Sequence, residues 1–229
     1  MFVHCSNIDS KIKSNYNNKR EALQEFKSTK YLNVSSALGD LNFSSESEEE
    51  FILAANLIND YLKEIDAFSS KYNIKSQSKF RSTFIEEIST YLFKDLSPIK
   101  DKKLNFFNKN VFAGLKFGEG MSISILHKDV DFCVGKNVVI SIDGIKKSII
   151  MPIVAVEAKT YLDATMFGEV QYSAKLLKNS TPSVKTYILM EYNSVGPDKI
   201  INARYDNVLN EIFVLRENVT SQIDYKVLK

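Results

Sequence analysis

The chain has 229 residues, of which 44% are hydrophobic, and its 30 basic and 28 acidic residues give a net charge of +2. This length and apolar fraction suffice for a buried core, and the small positive charge permits a nucleic-acid partner without requiring one. The two histidines and two cysteines argue against a His-ligated zinc enzyme and against a disulfide framework.

The sequence lacks two features that would indicate a membrane or secreted protein. No run approaches the roughly 18 apolar residues of a membrane-spanning helix, and residues 1–6 lack the basic-then-apolar layout of a secretion signal. The sequence therefore predicts a cytoplasmic protein with no membrane partner.

The first third of the chain has helical patterning. Residues 8–27 place apolar side chains at helical spacing, and the acidic run at 44–50 precedes an apolar segment at 51–62. Negative charge is favourable at a helix N-terminus, so we interpret the acidic run as the start of a helix. We expect a single domain over 1–229, with a helical N-terminal subregion at 1–75 and a core at 76–229.

The next predicted helix, residues 79–93, contains a carboxylate within its apolar stripe. Phe84 and Tyr91 belong to this stripe, and Glu87 falls between them. An ionised carboxylate that faces the core requires a cation or a hydrogen-bond donor, so Glu87 is a candidate site residue. Glu86, nearer the edge of the stripe, is the alternative, and either side chain could instead simply reach solvent.

From Leu104 onward the pattern is that of strands. Residues 111–126 predict a strand, a turn and a second strand, and a further strand opens with Asp129 and Asp131. We interpret residues 135–137 (GKN) as a turn, 138–142 as a strand and Asp143-Gly144 as the tip of a hairpin. The hairpin leads into the central strand.

That central strand ends in a charged pair. Residues 153–156 (IVAV) form an apolar run, after which Glu157 and Lys159 project to one face while Ala158 points away. A divalent cation bound by Glu157 would account for the charges, although the same pattern also marks the solvated lip of a sheet. Asp131 opens the neighbouring strand and can reach the same sheet edge, with Asp129 as the alternative.

The remainder of the chain completes an α/β core with a mixed sheet. Asp163 can cap a helix over 164–178, and strands follow at 184–192 and 211–216. Gln171, near the start of that helix, could hold a water or a phosphate, or could be an ordinary exposed glutamine.

An aspartate on one strand followed by E-x-K on the next resembles the PD-(D/E)xK nuclease superfamily, with Asp131, Glu157 and Lys159 in the motif positions. The run at 157–167 (EAKTYLDATMF), with 128–132 (KDVDF) and 84–87 (FIEE), is similar to type II restriction endonucleases related to BbvCI and DdeI. The resemblance covers about residues 80–216 and does not extend to the N-terminal third. No proline precedes the aspartate, which departs from the superfamily pattern.

This resemblance implies a restriction-endonuclease-like core, a mixed central sheet with an antiparallel meander flanked by helices. It implies a site-specific endonuclease that hydrolyses double-stranded DNA with Mg²⁺. Asp131, Glu157 and the Ala158 carbonyl would hold the metal, Lys159 would stabilise the developing charge, and Glu87 would be a further catalytic carboxylate.

The partners that follow are duplex DNA and a second subunit, in a homodimer or a heterodimer with a related chain. Phosphate contacts could come from Lys128, Lys136 or Lys175. The alternative functions are a repair or recombination nuclease of the same superfamily and a DNA-binding protein that does not cleave.

Overall fold

The computed structural model describes residues 2–45, 47–196, 198, 201–202 and 207–229. Its chain divides into two compact units, one formed by Met1–Ser97 with Val214–Lys229 and the other by Pro98–Phe213. Within the described residues, no helix combines the length and the apolar character needed to cross a membrane.

The first unit is helical. Its principal helices are α1 (Val3–Lys13), α2 (Arg20–Phe26), α3 (Leu32–Asp40), α4 (Glu48–Tyr72) and α5 (Ser82–Phe93). A short helix, Tyr225–Leu228, lies near the C-terminus, and another, α6 (Ser97–Asp101), spans the point where the chain leaves this unit. Aromatic side chains fill the interior, as in the Tyr61–Phe84 pair, whose ring centroids are 4.6 Å apart.

The start of α4 confirms our interpretation of the acidic run. Glu48, Glu49 and Glu50 occupy the first turn of the helix. Their negative charge there interacts favourably with the partial positive charge of the helix N-terminus. Glu46, which belongs to the same run, lies outside the described residues.

Helix α5 belongs to the helical unit, although the sequence analysis placed it in a core beginning at residue 76. The physical reason is apolar packing, because Phe84 of α5, and Phe80 just before this helix, pack against the imidazole of His4 from α1. The assignment of 1–229 to one domain, with a core at 76–229, stays a prediction.

The second unit contains the sheet. Its strands within the described residues are β1 (Asn105–Phe107), β2 (Val111–Phe117), β3 (Ile123–Lys128), β4 (Phe132–Ile142), β5 (Ile145–Leu162), β6 (Lys185–Asn193) and β7 (Glu211–Val214). Their order is β1-β4-β5-β2-β3, and β6 pairs with both β5 and β7. Strand β5 is antiparallel to β4 and parallel to β2 and β6, so the sheet is mixed.

The β4–β5 hairpin corrects one sequence prediction. Its tip lies at Asp143-Gly144 as predicted, but the turn predicted at 135–137 is wrong, because β4 runs unbroken through these residues. The register instead shifts between Val134 and Gly135, and a Cβ at Gly135 would lie 2.6 Å from the Met151 carbonyl oxygen. Glycine here permits a close backbone approach at a bulge, which the sequence does not distinguish from a turn.

Helix α7 (Ala164–Ser180) connects β5 to the parallel strand β6. The Asp163 side chain caps it by accepting hydrogen bonds from the backbone N–H groups of Thr165 and Met166, each at 2.9 Å, as predicted. Leu177 of this helix packs into one apolar cluster with Cys133 and Ala155. The end of β5 is thereby fixed by a hairpin partner, a parallel neighbour and a helix.

Candidate active site

Asp131 and Glu157 meet across the two strands of the hairpin. The antiparallel register pairs Phe132 with Val156, and one further step places Asp131 opposite Glu157. The backbone N–H of Ala158 donates a hydrogen bond to Asp131 Oδ2 at 2.9 Å. The aspartate that precedes β4 is thus bound to the strand that carries the E-x-K sequence.

Lys159 completes the group. Its Nζ lies 3.5 Å from Asp131 Oδ2 and 3.4 Å from Glu157 Oε2. Because Glu157 and Lys159 are two residues apart on β5, strand alternation directs both side chains to the same face. All three charged groups are more than two thirds covered, with side-chain exposures of 23% for Asp131, 15% for Glu157 and 28% for Lys159.

The electrostatics of the group follow from this covering and from the paired carboxylates. Burial, together with the negative charge of Asp131, raises the pKa of Glu157 to about 7. Burial alone would lower the pKa of Lys159, but the charges of Asp131 and Glu157 outweigh it, and the pKa is raised. The site therefore has an excess of negative charge that one ammonium balances only in part, and this favours a further cation.

The donor set fits a hard divalent cation. In an extended strand, the N–H and C=O of one residue point to the same neighbouring strand, so the Ala158 carbonyl is directed to the side of Asp131. Two carboxylates and a carbonyl are the oxygen donors that Mg²⁺ prefers, with water in its other positions. In the described part of the chain, no cluster of three or more His, Cys, Asp and Glu residues could hold a metal. A Mg²⁺ ion held here would thus keep most of its waters.

Asp129, the alternative first carboxylate, has another partner. Its Oδ1 accepts a hydrogen bond from the backbone N–H of Asn110 at 3.0 Å, and the side chain is exposed. The structure therefore brings Asp131, and not Asp129, into contact with Lys159.

Glu87 lies in the helical unit, where its carboxylate is fully buried. Tyr31 and Tyr91 donate their hydroxyls to its Oε1, at 3.0 and 2.8 Å, and the His4 backbone N–H donates to its Oε2 at 2.8 Å. Burial raises the pKa of Glu87, although these three hydrogen bonds act in the opposite direction. Its catalytic role stays a prediction, and so does that of Glu86, which is also buried.

The predicted phosphate-binding residues occupy different places. Lys128 ends β3 and is half-buried, and its charge slightly lowers the pKa of Glu157 against the larger effects of burial and Asp131. Lys136 on β4 and Lys175 on α7 are exposed, while Gln171 is half-buried in the middle of α7. Of the three lysines, Lys128 is the one whose charge acts on Glu157.

Sequence reasoning missed an aromatic pair at the same end of β5. Tyr161 pairs in register with Tyr192 of β6, and their rings are stacked with centroids 6.2 Å apart. The available signal was the spacing, because Tyr161 follows Glu157 by four residues and alternation places both on one face. Its partner could not be identified before the β5–β6 register was known.

Comparisons with known proteins identify the family of this chain and support its fold. The family model of the Bpu10I restriction endonuclease matches residues 77–226, which is more than half of the chain. Among solved structures, the chain is similar to one described as the native BbvCI A2B2 tetramer, with a TM-score of 0.81 and 16% identity, over 100% of this chain and 92% of that chain. A search of curated proteins gives no match. The structural likeness confirms the predicted restriction-endonuclease-like mixed sheet with flanking helices.

Proposed function

The chain belongs to the Bpu10I restriction endonuclease family and is a type II site-specific deoxyribonuclease, and we propose that Asp131, Glu157 and Lys159 are its catalytic residues. The observation that carries this assignment is their meeting at one strand end, with Lys159 Nζ within 3.5 Å of an oxygen of each carboxylate. Partial burial of two carboxylates with a single ammonium costs desolvation free energy, and such groups are typical of a site that binds a ligand.

The chemistry of phosphodiester hydrolysis matches these groups. Asp131, Glu157 and the Ala158 carbonyl would hold Mg²⁺, which when bound supplies positive charge for the phosphodiester and a more acidic water. The hydrogen bond from Ala158 N–H keeps the Asp131 carboxylate in place before DNA arrives. Lys159 directs its ammonium to the same point, where it stabilises the negative charge that develops on the phosphoryl oxygens.

We assign no step of the cleavage reaction to Glu87. Both of its oxygens already accept hydrogen bonds from the helical unit, and a carboxylate held in this way supports the packing of α1 against α5. Its burial is explained without a ligand.

A second catalytic subunit is part of the proposal. Restriction enzymes of this type act on double-stranded DNA, and the similar BbvCI structure is described as an A2B2 tetramer. One Asp-Glu-Lys group cuts one strand, so double-strand cleavage requires a second copy or a related chain. We also expect the enzyme to act in the cytoplasm, where its DNA substrate would be found.

The test is incubation of supercoiled plasmid DNA with the purified chain and Mg²⁺. Discrete linear fragments support a site-specific endonuclease that acts as a homodimer, and site-specific nicks alone support a chain that requires a different partner for the second strand. Smearing or resection from ends would instead indicate a repair nuclease. Intact plasmid with a salt-sensitive mobility shift would indicate a protein that binds without cleavage.

A further inference from the structure

The stacked pair of Tyr161 and Tyr192 lies directly beyond the catalytic group. Along β5, Glu157, Lys159 and Tyr161 occupy alternate positions of one face, and Tyr192 stands beside Tyr161 on the parallel strand β6. Two residues of extended strand span about 6.6 Å, so Tyr161 begins one nucleotide-sized step from Lys159. The pair also lies at the carboxyl ends of two parallel strands, where ligands of α/β sheets bind.

The two rings differ in how much of them is covered. Tyr161 is 40% exposed, whereas Tyr192 is half-buried. The rings stack with an interplanar angle of 22°, which fixes the orientation of the more exposed ring. A cross-strand aromatic pair stabilises a sheet through its rings, but this does not require a hydroxyl on the exposed member.

We propose that the Tyr161 hydroxyl binds the phosphate adjacent to the scissile phosphodiester of the cut strand, with its ring held in position by Tyr192. This inference rests on the proposed function. A tyrosine hydroxyl is a neutral donor to phosphate oxygens, and such contacts fix the register of a protein on DNA without reading sequence. Tyr161 is thus a substrate-binding residue, and Tyr192 is a positioning residue that acts through it.

The experiment combines side-chain changes with changes to single phosphates. The cut position is mapped first, and duplex oligonucleotides are then made with one methylphosphonate, either 5′ or 3′ of the scissile phosphate. For unmodified DNA, we expect Tyr161→Phe to lower kcat/KM by about tenfold, the value of one lost hydrogen bond to a charged group. For each enzyme, the ratio of the cleavage rates on unmodified and methylphosphonate DNA measures the effect of the modification. At one of the two positions, this ratio should be about threefold or more smaller for Tyr161→Phe than for wild type, because the variant already lacks the contact that the methylphosphonate removes.

The companion variants separate this role from a structural one. Tyr192→Phe keeps the ring and should cut at nearly the wild-type rate, whereas Tyr192→Ala should lower kcat/KM as Tyr161→Phe does. The matched control is Tyr172→Phe, since Tyr172 is 70% exposed on α7 and should cleave normally. Thermal unfolding of each variant identifies any loss of cleavage activity that comes from misfolding.

Two results would overturn the inference. Equal methylphosphonate losses for wild type and Tyr161→Phe at both positions would show that the hydroxyl touches neither phosphate, while the proposed function would stand. Absence of DNA cleavage by the wild-type chain, under every condition in which it is folded and assembled, would overturn the proposed function and this inference together.

Discussion

The backbone N–H of Ala158 donates a hydrogen bond to Asp131 Oδ2 at 2.9 Å, which joins the first residue of the catalytic group to the strand that carries the other two. This bond sets the spacing of the two carboxylates independently of any metal. It also distinguishes the two candidate aspartates, since Asp129 accepts its hydrogen bond from Asn110 instead.

The first prediction compares these aspartates. Asp131→Asn keeps an oxygen that can accept from Ala158 but removes the charge, so we expect Mg²⁺-dependent cleavage to fall by more than about a hundredfold with the fold retained. Asp129→Asn should lose at most a small part of the activity. Initial cleavage rates across a Mg²⁺ titration test this, and the reverse ranking would move the metal to Asp129.

A second prediction concerns Lys159, whose ammonium we expect to act on charge that appears in the transition state. Lys159→Ala should slow cleavage by about a hundredfold to a thousandfold while leaving DNA binding little changed. Single-turnover rates and mobility-shift titrations measure the two effects. Lys146→Ala, at an exposed position near the other end of β5, is the matched control, and near-wild-type cutting by Lys159→Ala would remove this strand end from the active site.

The bulge between β4 and β5, where Ile153 of β5 is the extra residue, gives a prediction about stability. A methyl group at Gly135 would lie 2.6 Å from the Met151 carbonyl oxygen, so Gly135→Ala should lower the free energy of unfolding by about 1–3 kcal/mol. The control is Gly168→Ala in α7, where a Cβ meets nothing within 4 Å and alanine should stabilise by about 0.5–1 kcal/mol. Chemical denaturation measures both, and equal stability of the two variants would contradict the close approach.

The same glycine shows where sequence reasoning succeeds and where it fails. The period of a strand places Glu157 and Lys159 on one face, and this local rule was sufficient to predict their meeting. Gly135 is ambiguous, because the residue that permits a close approach between strands is also the residue that favours a turn.

Glu87 illustrates a different limit. Its apolar surroundings were predicted, but the donors that satisfy it come from His4 and Tyr31, which are 83 and 56 residues away in the chain. Partners at this separation follow from tertiary packing, and no local pattern in the sequence specifies them.

A fourth prediction uses the buried imidazole of His4. Its Nδ1 lies 3.0 Å from Thr83 Oγ1 and its Nε2 lies 2.9 Å from the Tyr61 hydroxyl, and burial, with the charge of Lys11, lowers the pKa of His4 to about 3. The unfolded chain therefore gains a proton on this imidazole near pH 6.5, whereas the folded chain does not, so the contribution of His4 to stability falls as the pH falls from 6.5 towards 3.

The expected size of this effect is about 1.4 kcal/mol of unfolding free energy lost between pH 7.5 and 5.5. Glu87 and Glu157, whose raised pKa values change stability in the opposite direction, are present in all the proteins compared, so their effects cancel in the difference between variants. Chemical denaturation at the two pH values should show that the change in unfolding free energy from pH 7.5 to 5.5 is about 1.4 kcal/mol more negative for His127→Gln, at an exposed position, than for His4→Gln. The same pH dependence of unfolding free energy in His4→Gln and His127→Gln would contradict the neutral, buried imidazole.

The most direct test of the catalytic assignment is the rate of plasmid cleavage by Glu157→Gln with Mg²⁺, measured beside wild type and Glu169→Gln. Glu169 is exposed on α7 and provides a charge-matched control, whereas Glu157 contributes a carboxylate oxygen 3.4 Å from Lys159 Nζ. We predict that wild type and Glu169→Gln produce the same discrete cuts at the same rate and that Glu157→Gln leaves the plasmid intact. Cleavage by Glu157→Gln at the wild-type rate would contradict the assignment of Asp131, Glu157 and Lys159 as the active site.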